Sequence, residues 1–434
     1  MGRVTGFCKT GGMTSLFAPP APGRTPDPSL AHRRALVTAT LTDGDGAPLA
    51  DRDVTVRQRS QAFGFGCIGF ELVDHIIGES QDRGYDAALA DQWLAVFNRA
   101  TLPFYLGMFE PERGRPRTDR LLAAARWFAE QGVKVKGHPL VWHTVCAPWL
   151  LDLEVEEIER ALRGRIRREV EAFSGLIDTW DAINEVVIMP VFTAEDNGVT
   201  RLARQRGRIE MMRLAFEEAR AADPGATLLL NDFDMSTAYE CLIEGALEAG
   251  IRIDALGLQS HMHQEAWGEE KTLEVLDRFS RYGIPLHFTE TTILSGDLMP
   301  GHIRDLNDWQ VDHWPTTEEG EHRQAEDLER HYRTLYSHPS VESITYWGLP
   351  DRGMWLGAPG GLLRPDGSPK PAYHRLRQLV TEEWRAPETT VRTDDDGRLC
   401  LDAFLGEHEL TVGGVSAVLD VDVPGEVTAD VVVG

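Results

Sequence analysis

From Ala35 the chain alternates apolar and polar residues, ALVTATLTDGDGAPLADRDVTVRQRS, around an Asp-Gly-Asp-Gly turn. Alternation at period two about such a turn predicts a β-hairpin. The stretch from Thr389, TTVRTDDDGRLCLDAFLGEHELTVGGVSAVLDVDV, has the same texture, with turns at DDDG and GG. Either piece alone is too short for a stable sheet and would leave strand edges unpaired. Together they predict one small accessory β-sandwich built from the two ends of the chain. Between them short apolar runs alternate with helical patterns, the signature of a parallel sheet. The runs are FGFGCIG (63–69), ATLPFYLGM (100–108), VKVKGHPLVWH (133–143), IDTWDAIN (177–184), ATLLLND (226–232), IDALGLQSH (253–261), IPLHFTE (284–290) and SITYWGL (343–349). Amphipathic segments such as 119–132 and 209–225 fill the gaps. Eight such strands predict a closed (β/α)8 TIM barrel. The expected divisions are a flexible, Gly/Pro/Ser-rich tail (1–30), the N-terminal hairpin (31–60), the barrel (61–385) and the C-terminal strands (386–434).

Composition narrows the possibilities. The 434 residues exceed the roughly 250 of a plain barrel, and 42% hydrophobic with 26% charged residues excludes disorder along the whole chain. With 44 basic against 69 acidic side chains the net charge is −25, which disfavours nucleic acid and anionic membrane as partners. Five scattered cysteines without CxxC spacing indicate neither a disulfide framework nor a zinc site. No apolar run reaches the roughly 18 residues of a membrane span, and the first residues hold no apolar stretch of signal-peptide length. The expectation is a cytoplasmic protein with no metal and no cofactor.

In such a barrel the chemistry sits at the C-terminal strand ends, and polar residues gather there: His138, Trp142 and His143 at strand three, Asn184 and Glu185 at four, Asn231 and Asp232 at five. Gln259 and His261 close strand six, Glu290 closes seven, and Trp347 with Asp351 follows eight. Helix capping would explain two or three of these positions, not two glutamates, three histidines and two tryptophans on one rim. Two carboxylates on opposite walls suit retaining glycoside hydrolysis, in which one attacks the anomeric carbon and the other serves as acid and then base, at a separation of about 5–5.5 Å. Asn184 can donate to a sugar 2-hydroxyl, and Trp347 and Trp355 offer flat faces to a pyranose.

The segments GHPLVWH (137–143), WDAINE (180–185), LLLNDFD (228–234), GLQSH (257–261), HFTE (287–290), YWGLPDRGMW (346–355) and GLLRPDGSPKPAY (361–373) resemble, in order, those of glycoside hydrolase family 10, the family of the β-1,4-xylanases. The resemblance implies Glu185 as acid/base, Glu290 as nucleophile, and His261 as the hydrogen-bond partner of the nucleophile. It places His138, Trp142, His143, Asn184, Gln259 and Trp347 around the sugar at the cleavage point. Asn231, Asp351 and Trp355 complete the expected carbohydrate-binding set. Two departures stand out. The family's Glu-Asn-x-x-Lys segment after strand two is replaced by Leu-Pro-Phe-Tyr-Leu-Gly (102–107), which puts Phe104 and Tyr105 where polar sugar-binding residues are expected. The Asp two positions past the nucleophile is Thr292.

Other motifs have plainer explanations. Gly64-x-Gly66-x-x-Gly69 spells a dinucleotide fingerprint but falls inside the first apolar run, where no strand-to-helix turn is expected. His143, Cys146, His261 and His263 lack zinc-ligand spacing. The charged run 316–332 reads as a solvated helix. The leading expectation is an endo-β-1,4-xylanase-like retaining hydrolase. Its rivals are a β-glycosidase for a small conjugate such as a saponin or aryl glycoside and, more remotely, a carbohydrate-binding pseudoenzyme.

Overall fold

A computed structural model describes residues 27–434; the tail predicted over 1–30 lies outside the described residues apart from its last four. The strands, in chain order, begin with β1 (Arg34–Thr42) and β2 (Asp53–Gln58). Next come β3 (Gly64–Ile68), β4 (Arg99–Pro103), β5 (Lys134–His138), β6 (Ile177–Asn184), β7 (Thr227–Asp232), β8 (Ala255–Met262), β9 (Leu286–Ile293) and β10 (Val341–Tyr346). The last five are β11 (Thr389–Arg392), β12 (Arg398–Phe404), β13 (Gly406–Val412), β14 (Val415–Val421) and β15 (Gly425–Val432). The chain divides into two units, one of residues 64–380 and one of residues up to 63 with 381–434.

In the larger unit β3 to β10 form a closed parallel barrel, β10 pairing with both β3 and β9. The glycine fingerprint is thereby explained by packing. A Cβ on Gly64 would lie 2.5 Å from the Ser343 Oγ, and one on Gly66 2.7 Å from the Thr345 Oγ1. These glycines let β3 and β10 close the wall. The helix Thr118–Glu130 buries Leu121, Ala124, Ala125 and Phe128, the i, i+3, i+4, i+7 stripe of a helix covering a sheet. The charged run predicted as a solvated helix is half of one. The helix Glu318–Tyr336 buries Gln324, Leu328, His331 and Leu335 along one face and keeps most of its charge on the other. Three strands end well short of their apolar runs. β4 stops at Pro103, β5 at His138 and β10 at Tyr346, so Tyr105, Trp142, His143 and Trp347 stand on the loops beyond them.

The smaller unit is a sandwich of a three-stranded sheet, β12-β1-β15, and a four-stranded sheet, β11-β2-β13-β14. Here the expected N-terminal hairpin opens: β1 and β2 leave their shared turn for different sheets. Each strand has one apolar face, Ala35, Val37, Ala39 and Leu41 on β1 and Val54 and Val56 on β2. Both faces are buried in one core with Leu399, Leu401, Leu410 and Val421. Facing each other across that core covers these residues better than lying side by side in one sheet.

Candidate active site

Glu185 follows the last residue of β6 with φ of 55°, a left-handed backbone that costs a non-glycine residue about 1–3 kcal/mol and is typical of functional positions. The turn is held from β7: the Glu185 amide donates to the Asn231 carbonyl (2.8 Å), and the Val187 amide donates to Asp232 Oδ2 (3.1 Å). The Glu185 carboxylate accepts from Trp142 Nε1 (2.8 Å) and Asn184 Nδ2 (3.2 Å). Burial, then the charge of Glu290, pushes its pKa up to about 8. Burial likewise raises Asp232 to about 7.

Glu290 lies on β9. Its Oε1 accepts from Asn231 Nδ2 (2.9 Å), and its Oε2 accepts from His261 Nε2 (3.2 Å). Burial works to raise its pKa, but the charge of His138, the hydrogen bond and charge of His261, and the charge of Lys136 outweigh it and hold the carboxyl below its usual range. Asn231 Nδ2 also donates to Asn184 Oδ1 (2.8 Å), which in turn accepts from Gln259 Nε2 (3.1 Å). One amide chain therefore runs from beneath one carboxylate to beneath the other. The second departure has a local replacement: His261 Nδ1 meets the Thr292 hydroxyl at 3.0 Å, so threonine occupies the orienting position of the expected aspartate.

The remaining predicted residues fall into two groups. His138, His143 and Trp347 line the same mouth. His138 Nε2 lies 4.0 Å from Glu290 Oε1 and His143 Nε2 lies 4.0 Å from Glu185 Oε2. Burial lowers the pKa of His143 to about 4. The Trp347 ring packs edge-on to His138, and that of Trp355 lies 5.6 Å from His261. Asp351 is committed elsewhere. Its Oδ1 accepts from the buried Lys370 ammonium (2.7 Å) and the Gly361 amide (2.8 Å), tying down the loop that carries Trp355. Phe104 also departs from expectation. It is fully buried against Phe109, Phe173 and Trp180, leaving Tyr105 alone of the pair at the mouth.

Sequence reading gave no role to three residues of the site. Asp181 is fully buried and accepts from Lys136 Nζ (2.7 Å) and His138 Nδ1 (2.6 Å), fixing the His138 ring. Lys136 and His138 are two apart on one strand and so share a face; that spacing was the available signal. Phe70, on the loop after β3, stacks edge-on against both Tyr105 and Trp347, and nothing in its sequence context marks it. Among the described residues no group of three or more His, Cys, Asp or Glu could hold a metal ion, no helix is long and apolar enough to cross a membrane, and the four described cysteines are free.

The chain is 27% identical over 289 residues to endo-1,4-beta-xylanase B of Thermotoga neapolitana, covering 63% of this chain and 77% of that one. It is 25% identical over 388 residues to the anti-sigma-I factor RsgI6 of Acetivibrio thermocellus, covering 88% of this chain but only 45% of that protein. Among solved structures, xylanase 10B of Thermotoga petrophila, determined with xylobiose, shares the fold with a TM-score of 0.60 at 21% identity, over 74% of this chain and 95% of that one. The sequence pattern of glycosyl hydrolase family 10 matches residues 106–379, more than half of the chain. The protein belongs to glycosyl hydrolase family 10.

Proposed function

We propose that this hydrolase cleaves β-xylosidic bonds by double displacement, with Glu290 as nucleophile and Glu185 as acid/base. The observation that carries the reading is the opposed proton affinity of two linked carboxyls. Glu185 is pushed up to about 8, whereas Glu290 is held below its usual range. At neutral pH one is a protonated acid and the other an ionised nucleophile, as the reaction requires. In the first step a Glu290 oxygen bonds to the anomeric carbon, the bond to the leaving oxygen breaks, and the Glu185 proton passes to that oxygen. In the second, Glu185 takes a proton from water, the water oxygen bonds to the anomeric carbon, and the ester to Glu290 breaks. Asn184 spends one amide hydrogen on Glu185 and keeps another for a sugar hydroxyl. Asn231 and His261 orient Glu290, and Asp181 orients His138.

The likeness to proteins named as xylanases supports xylose as the sugar. NMR of the first-formed anomer from a nitrophenyl β-xyloside tests the mechanism. The β-anomer is expected, and an α-anomer would exclude Glu290 as nucleophile.

A further inference from the structure

The mouth of the barrel has two unlike halves. Over β6 to β9 it is built of amides, carboxylates and His261. Over β10 and β3 to β5 it is a row of rings in contact: Trp347 lies 5.7 Å from Phe70, Phe70 lies 5.8 Å from Tyr105, and Tyr105 lies 5.4 Å from Trp142. Tyr105 and Trp142 stand on the loops past the ends of β4 and β5. Trp142 donates to Glu185, and the His138 imidazole, at the last position of β5, lies 4.0 Å from Glu290. Beyond a strand end the ladder no longer pairs the backbone, so the carbonyls of these loops need donors from elsewhere.

One side chain supplies them. The helix Val155–Ala172 buries Ile158, Leu162, Arg165, Ile166, Glu169 and Val170, so an arginine sits where the helical period calls for an apolar residue. Arg165 is 3% exposed. Its Nη1 donates to the Leu140 carbonyl, and its Nη2 donates to the Phe104 carbonyl and, at 3.4 Å, to that of Pro139. All three acceptors are neutral. The neighbouring carboxylate of Glu169 accepts from Arg168 Nε (3.0 Å) and Nη2 (2.7 Å) instead, and Arg165 Nε finds no hydrogen-bond partner among the described residues. A buried cation so placed destabilises the fold, and an apolar residue would fill the stripe at less cost. What a guanidinium adds is a planar fork whose arms reach two loops at once.

Each acceptor adjoins a residue of the site. Phe104 precedes Tyr105, Pro139 follows His138, and Leu140 stands two positions before Trp142. The rings in turn pack on one another, Tyr105 lying 5.5 Å from His138 and 5.4 Å from Trp142. We propose that Arg165 is a positioning residue for the reaction: by gathering the carbonyls of Phe104, Pro139 and Leu140 it places Trp142 against Glu185 and His138 beside Glu290. Other bonds hold these loops to the barrel without it. The Phe104 amide donates to the His138 carbonyl (2.6 Å), the Leu140 amide to the Asp181 carbonyl (2.9 Å) and the Gly107 amide to the Val145 carbonyl (2.7 Å). Loss of Arg165 therefore shifts the rings and leaves the barrel folded. The inference rests on the roles proposed for Glu185 and Glu290.

The test uses the full chain with Arg165→Met and reads kcat/KM on nitrophenyl β-xyloside across pH. Displaced rings should lower kcat/KM by about 10- to 100-fold. With the Trp142 donor moved away, Glu185 keeps its proton to higher pH and the alkaline limb moves up. With the His138 charge moved away, Glu290 also keeps its proton to higher pH and the acid limb moves up. Because Arg165 acts through Trp142, adding Arg165→Met to Trp142→Phe should move the alkaline limb no further than Trp142→Phe alone. Ile166→Ala opens a cavity on the same buried helix face and controls for lost stability, so both limbs should stay in place. Arg165→Lys, with one ammonium in place of the fork, carries the test if the methionine variant does not fold, and should move both limbs the same way by less. An unmoved alkaline limb, or a shift that adds to that of Trp142→Phe, overturns the inference for Trp142, and an unmoved acid limb overturns it for His138. Equal shifts in Ile166→Ala reduce Arg165 to a structural role and overturn both. Undiminished hydrolysis by Glu290→Gln overturns the catalytic roles beneath the inference, whichever way Arg165 behaves.

Discussion

The two halves of the barrel mouth solve different problems with different physics. In the polar half nearly every donor has a named acceptor: Asn231 serves Asn184 and Glu290, Gln259 serves Asn184, and His261 serves Glu290 and Thr292. Such a network fixes charge, and its members are hard to replace, because a lost partner leaves a buried polar group unpaired. The aromatic half is held by ring contacts and apolar packing, which tolerate changes of shape. Both carboxyls stand in the polar half, while the His138 and Lys136 charges and the Trp142 donor that help tune them reach across from the aromatic half.

The largest effects should come from breaking the polar half. Glu290→Ala is expected to lower kcat on nitrophenyl β-xyloside by about 10⁴- to 10⁶-fold, as loss of a nucleophile does in other hydrolases; single-turnover kinetics would measure it. Glu185→Ala should slow xylobiose, whose leaving group needs a proton, by about 10²- to 10⁴-fold. It should slow bond cleavage far less with a dinitrophenyl leaving group, and equal losses on both would deny Glu185 its role as acid.

Asn231→Leu removes donors to Asn184 and Glu290 and leaves the Thr289 hydroxyl, now 2.6 Å from Asn231 Oδ1, without its acceptor. It should cost about 1–3 kcal/mol of stability in urea unfolding. Phe70→Leu, on the aromatic half, should cost no more than about 1.5 kcal/mol. If the two costs came out reversed, the contrast between the halves would collapse.

The pH profile sharpens the same comparison. Glu185 acts as an acid only while protonated, so activity should fall as pH rises through about 8. Trp142 donates to the ionised form of Glu185 and holds its pKa down, so Trp142→Phe should move the alkaline limb to higher pH. Glu290 must be ionised, and its carboxyl lies below the usual range, so the acid limb should fall below pH 4.5. His261→Ala removes a donor to that carboxylate and should move the acid limb upward. Limbs of kcat/KM unmoved in both variants would count against these partners as the source of the shifts.

The sequence and the structure differ where long-range geometry decides. The eight barrel strands were legible because each is a short apolar run followed by a helical period, and the glutamates because the strand ends carry them. The opening of the β1–β2 hairpin was hidden, since alternation reveals which face of a strand is apolar but not which sheet it joins. Phe104 and Tyr105 are adjacent in the chain, yet one is core and the other lines the site, because β4 ends at Pro103 and the chain turns there. The same holds for Asp351, a rim position by sequence whose carboxylate is claimed by Lys370, a residue 19 positions on.

The smallest expected effect lies where the halves meet. His263, just past the end of β8, is almost fully buried, and neither ring nitrogen has a hydrogen-bond partner. Its ring lies 5.1 Å from Trp355 and 6.4 Å from Trp314. Burial, reinforced by the charge of His261, lowers its pKa to about 3, so the ring is neutral at working pH. A neutral imidazole among tryptophans carries two unpaired polar atoms, and replacing it with an apolar group of similar size removes that desolvation cost. His263→Leu should therefore raise stability by about 1 kcal/mol, or about 2 °C in Tm for a unit of this size. It should change kcat on nitrophenyl β-xyloside less than about threefold, since no hydrogen bond to His261 is lost. Differential scanning calorimetry of the two proteins decides the point: a fall in Tm would mean that the ring makes a hydrogen bond in solution that holds this corner of the site together.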